Sequence, residues 1–135
     1  MPTFADASFY IGIADPKDQW HRAATDLLHF AQARSPLHTH ALALAEVIAL
    51  VGAVRGGKGA RLAYESIRDA CVLHLPTLDD LDESMRIVVR HDGALSLSDA
   101  LTLHLMAREG ARQVLSFDKD FDGKGVVRVH APPRR

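Results

Sequence analysis

The sequence predicts an α/β fold: a mostly parallel sheet covered by helices on both faces. Three observations predict it. Short hydrophobic runs alternate with longer amphipathic ones, no polar linker divides the chain, and no segment repeats. At 135 residues and 47% hydrophobic content, a single domain over residues 1–135 has enough apolar material for a core.

The elements follow in order. Residues 3–10, β-branched and aromatic, read as the first strand, cut off by "ADPKDQ". Residues 20–34 read as an amphipathic helix with Ala23, Ala24, Leu27, Leu28 and Ala31 at helical spacing. "SPLHTHA" is a weak extended segment behind Pro36. Residues 41–54 are helical and are closed by the break "RGGKG"; residues 61–70 resume as a second helix. "VLHLP" is a short strand stopped by Pro76, and Thr77 is an N-cap for a helix over 78–90 that "HDG" ends. "SLSDALTLHLMAREG" runs as a helix from its serine to Gly110, and "QVLSF" and "VVRVH" are the last strands before the tail "APPRR".

Composition narrows the class. The lone Cys71 makes no intrachain disulfide, which fits a reducing cytoplasm. "MPTFADASF" has no basic n-region and carries an acid at residue 6, so it is not read as a signal peptide. The longest apolar run, 41–54, contains Glu46 and is too short to span a bilayer, so no membrane partner is expected. A net charge of −1 neither favours nor excludes nucleic acid.

Ligands of parallel sheets bind beyond the carboxyl ends of the strands, so acids placed there carry information. Asp6 lies in the first strand, and Asp118, Asp120 and Asp122 crowd the end of "QVLSF". The plain alternative for Asp118 and Asp120 is turn formation. Glu46 is the only charge between Pro36 and Arg55, on a helix that reads as apolar all round and therefore buried. A carboxylate there needs a partner, either a cation or a salt bridge to Arg55 or Lys58. Asp99 is the only acid in residues 95–106, and a position in the first helical turn favours a negative charge whether or not a ligand uses it. Carboxylates gathered without a counter-charge select hard cations, Mg²⁺ or Mn²⁺, which activate water in phosphoryl displacement.

"FADASFYIGIADPKDQWHRAA", the lone Glu46 in "LALAEVIALV", "LSLSDALTLHLMAREG" and "VLSFDKDF" together resemble the PIN-domain ribonucleases, and most closely the VapC toxins of toxin–antitoxin pairs. The resemblance covers nearly the whole chain. It implies an α/β/α sandwich and a metal-dependent endoribonuclease held inactive by a VapB-like antitoxin, which would insert an Arg or Lys among the acids. Carried over, the family's four acids fall on Asp6, Glu46, Asp99 and Asp118, with Asp120 able to share or replace the role of Asp118. Ser8 matches a hydroxyl that orients the acids; Ser116 stands where the family often has Thr. The implied chemistry is hydrolysis by activated water, leaving a 5′-phosphate, with Glu46 as a ligand or as the base. A homodimer is expected from the apolar helix over 97–107. Cys71 has no base beside it in sequence and is not read as a nucleophile.

RNA needs basic and aromatic contacts around the acids; Lys17, Trp20, Arg22, Arg55, Lys58 and Lys119 are the candidates. Trp20 either stacks on a base or packs its helix. His38 and His40 sit on one strand face, but with no HExxH and no cysteine pair zinc is disfavoured; His104 reads as packed or at a subunit contact. Two other phosphoryl-transfer folds, the haloacid-dehalogenase and receiver types, need a second acid near the first, and position 8 is serine. The rival from another class is an inactive PIN-fold module that only sequesters a partner or RNA, which the full set of acids disfavours.

Overall fold

A computed structural model describes residues 1–32 and 35–132. Five short strands, β1 (Thr3–Ala5), β2 (His38–His40), β3 (Val72–His74), β4 (Gln113–Leu115) and β5 (Val127–Val129), lie in the order β3-β2-β1-β4-β5. All four pairings are parallel. Helices α1 (Ala7–Ala14), α2 (His21–Gln32), α3 (Ala41–Ala70), α4 (Leu78–Arg90) and α5 (Leu97–Glu109) connect them, the first two between β1 and β2 and the last two between β3 and β4.

Strand alternation assigns each helix group a face. Phe4 and Val114 pack with Leu101, Leu105 and Met106 of α5. Their neighbours Ala5 and Leu115 join Phe9, Leu27, Val47 and Val51 from α1, α2 and α3 in the core on the other side. The chain leaves β1 toward β2 and β3, then returns to place β4 on the opposite side of β1. That reversal is the switch point of the sheet, and Ala5 pairs with Leu115 there.

The structure corrects several expectations. The run 3–10 is a three-residue strand followed by a helix. Asp6 ends the strand and its carboxylate accepts the backbone N–H of Phe9, which starts α1. An eight-residue apolar helix has no polar face to give it a period, so it reads like a buried strand. Trp20 lies in the turn before α2, and residues 33 and 34 of the expected helix fall outside the described residues. The break expected at "RGGKG" is there, but as a kink between two helical halves of α3 and not as a loop. The helix bends sharply at Gly56, whose φ of 73° and ψ of −175° only glycine adopts readily. The last two strands are shorter than expected, so Ser116 and Phe117 leave the ladder just where β4 meets the switch point.

Candidate metal centre

The centre starts from Asp6, the residue that turns β1 into α1. It is 4% exposed, and both of its oxygens are held. Oδ1 accepts from the Ser8 hydroxyl at 2.7 Å and from the Phe9 N–H at 3.1 Å, and Oδ2 accepts from the Ser116 hydroxyl at 2.6 Å. Ser116 also accepts the Asp118 N–H at 2.9 Å, and Ser8 accepts the Phe117 N–H at 3.0 Å. Two serines therefore lock the exit of β1 to the exit of β4. Burial outweighs these hydrogen bonds and raises the Asp6 carboxyl to about 6.

Above this anchor, oxygens of Asp99, Asp118 and Asp120 all lie within 4.8 Å of one another. Asp99 occupies the first turn of α5, but Ser96 is the N-cap there, its hydroxyl accepting the Asp99 N–H at 3.1 Å. Asp118 caps the single 3₁₀ turn Lys119–Phe121 and accepts the Asp120 N–H at 2.9 Å. Its turn-forming role and its place in the cluster coexist. Burial first, then the charges of Asp118, Asp6 and Glu46, push the Asp99 carboxyl up to about 7.

Glu46 is not on a buried helix, as its apolar neighbours suggested. It is exposed, with Ala45, Ala49 and Leu50 beside it, while Ala43, Leu44, Val47 and Val51 form the buried face of α3. Alanines on the outer face made the helix read as apolar all round. Glu46 stays near enough to Asp99 to act on its charge, yet its oxygens are not among the three that converge.

None of these five acids is in a salt bridge among the described residues, Arg55 and Lys58 included. The buried acid Asp80 shows the contrast. His104 and Arg108 each reach its Oδ1 at 2.9 Å, and the Thr77 backbone N–H first, then His104 and Arg108, hold its carboxyl far below the usual range. An all-oxygen cluster that the chain leaves uncompensated has the chemistry of a hard-cation site, and Mg²⁺ or Mn²⁺ fits that donor set.

A profile of the PIN domain family matches residues 3–126. The chain belongs to the PIN domain family. Among solved structures, it is similar to VapC20 of Mycobacterium tuberculosis, a sarcin-ricin loop cleaving toxin, at 27% identity and a TM-score of 0.84. The match covers 94% of this chain and 98% of that one. PAE2754 from Pyrobaculum aerophilum shares the fold at 19% identity and a TM-score of 0.64, over 96% and 90% of the two chains. No curated protein sequence matches significantly.

Other expectations of this PIN domain resolve as follows. Lys17, Arg22, Arg55, Lys58 and Lys119 are exposed, and Trp20 is 41% exposed. His38 and His40 have separate partners: His38 Nδ1 meets His74 Nε2 at 2.9 Å, while His40 is fully buried. The sequence reading missed what His40 does. It caps α3 by accepting the Ala43 N–H at Nδ1, and its Nε2 lies 2.8 Å from the Thr102 hydroxyl and 3.1 Å from the Ser98 carbonyl. It thereby ties the helix of Glu46 to the first turn of the helix of Asp99. Its place immediately before an apolar helix was the available signal, since such a position asks for a cap. An apolar cavity of about 420 Å³ lies elsewhere, lined by Tyr10, Ile13, Leu28, Ile67 and Cys71 among others, and none of the five acids lines it. No helix is long and apolar enough to cross a membrane, among the described residues.

Proposed function

We propose that this PIN domain is a metal-dependent endoribonuclease and the toxin of a type II toxin–antitoxin pair, acting in the cytoplasm. The observation that carries the reading is the uncompensated convergence of Asp99, Asp118 and Asp120 at the sheet's switch point. Asp99, Asp118 and Asp120 would hold Mg²⁺ or Mn²⁺, with Asp6 beneath them and Glu46 beside them completing the set. When bound, such an ion lowers the pKa of water and offsets charge on phosphate oxygens.

The chain's own residues do the rest. Ser8 and Ser116 fix both oxygens of Asp6 and so set the spacing of the exits of β1 and β4. Asp99 gives up its proton to enter the site as a carboxylate. Glu46, exposed on α3, would ligate the ion or take a proton from the attacking water. Direct hydrolysis leaves a 5′-phosphate and a 3′-hydroxyl. Cys71 takes no part, because its sulfur faces the Tyr10 hydroxyl at 2.9 Å and burial raises its pKa. A VapB-like antitoxin silences the enzyme by placing an Arg or Lys among the acids.

Since VapC20 is a sarcin-ricin loop cleaving toxin, a hairpin of that RNA is the first substrate to try. The purified protein is expected to cut it with Mg²⁺ or Mn²⁺, to stop on addition of EDTA, and to leave 5′-phosphate ends. Undiminished cutting in EDTA overturns the mechanism.

A further inference from the structure

Trp20 is the only tryptophan in the chain, and the fold leaves it 41% exposed. Its indole lies flat against the ring of Phe117, with centroids 5.1 Å apart and planes 4° from parallel. Phe117 is itself buried and stands between Ser116, which holds Asp6, and Asp118 of the acid cluster. The indole thus stacks on a residue whose two chain neighbours belong to the candidate metal centre.

The backbone of Trp20 is fixed as firmly as its ring. Its N–H donates to Asp18 Oδ2 at 2.9 Å, and its carbonyl accepts the Ala24 N–H at 2.8 Å, which starts α2. Gly12 of α1 presses against the same corner. A Cβ there would come within 3.0 Å of the Ala24 Cβ, 3.4 Å of the Trp20 carbonyl and 3.5 Å of the Phe117 ring. Exposed cations Lys17 and Arg22 flank the indole in sequence.

We propose that Trp20 is a stacking platform for an unpaired nucleobase of the RNA whose phosphodiester lies at the acids. The inference rests on the ribonuclease reading and adds to it the residue that holds a base of the substrate. A rigid, half-exposed indole loses little freedom when a base settles on it, and every base has a π-face to offer. Bases inside a duplex are already stacked on their neighbours and offer no such face. Lys17 and Arg22, exposed and near Trp20 in sequence, supply cations for the RNA backbone.

The single tryptophan makes the test direct. Binding is read in the Asp99→Asn background, which keeps the RNA intact and removes one repelling charge. A loop RNA is expected to change the indole emission saturably, and a fully paired duplex of equal length to leave it unchanged. Trp20→Ala should weaken loop RNA binding roughly tenfold and Trp20→Phe by no more than about threefold, the scale of one stacked base. In the otherwise native enzyme, Trp20→Ala should raise KM more than it lowers kcat. Should Trp20→Ala fail to fold, the emission change and the Trp20→Phe variant still decide the matter. Unchanged emission at saturating RNA, or equal affinity with and without the indole, overturns the platform. Loop RNA that is cut without touching the indole overturns the platform alone. Loop RNA that changes the emission but is never cut by the native enzyme supports the platform and overturns the nuclease reading.

Discussion

Ser116 carries more of the candidate site than any acid does singly. Its hydroxyl donates to Asp6, accepts from Asp118 N–H and lies 3.3 Å from the Ser8 hydroxyl, all while fully buried. Ser116→Ala leaves a buried carboxylate oxygen and an N–H without their partner, which is expected to cost about 1–3 kcal/mol. Ser116→Thr keeps the hydroxyl and should stay close to the native stability. Denaturant unfolding of the two variants checks this; an alanine variant as stable as the threonine one would mean that Ser116 does not anchor Asp6. Asp99 was legible in the sequence as a charge inside an apolar run, and Asp118 and Asp120 as acids crowding a strand end, while the same apolar signal misplaced Glu46. What joins the acids was not legible. The contact of Ser116 with Asp6 spans 110 positions and exists only because β4 lies beside β1, which no local pattern states.

At the scale of elements, the sequence located helices well wherever a cap or a breaker marked their ends. Thr77 caps α4 with a reciprocal bond to Asp80, and Gly110 ends α5 in the left-handed conformation. It failed where only hydrophobicity was available. The helical half of residues 3–10 was hidden by its uniform apolarity, and the exposed side of α3 by its alanines. The apolar surface of α5, from which a homodimer was expected, is spent inside the protein: Leu101, Leu105 and Met106 are fully buried. Among the described residues, an exposed apolar stripe lies on α4 instead, where Leu78, Met85 and Val89 share one side and are 73%, 45% and 72% exposed. We propose this stripe as the homodimer contact. Light scattering should find a dimer for the native chain and a monomer for Val89→Asp; a native monomer over a wide concentration range would discard the dimer.

At the scale of the whole molecule, the cluster is expected to make stability depend on pH and on cations. Asp6 and Asp99 titrate in the folded state at about 6 and about 7, above the ordinary 3.8. The folded protein thus keeps protons that the unfolded chain has lost, and their stabilisation is complete below pH 4 and disappears as pH rises toward 7. Burial of His40, lowered to about 4, works in the opposite direction: its contribution is full above pH 6.5 and is lost on acidification. Comparing native protein with Asp99→Asn isolates the acid. Without metal, the variant should gain on the native protein between pH 4 and 8 by about 2 kcal/mol, roughly half of what a fully buried shift would give. The measurement that bears most directly on the central claim is the thermal midpoint of both proteins at pH 8, with and without Mn²⁺. A cation at a hundred times its Kd adds about 2.7 kcal/mol, which raises the native midpoint by several degrees. The account predicts that rise, a smaller one at pH 6 where Asp99 holds its proton, and almost none in Asp99→Asn, whose metal-free midpoint starts higher. An equal rise in both proteins, or a variant that is less stable than the native chain without metal at pH 8, would contradict a cation centre built on Asp99.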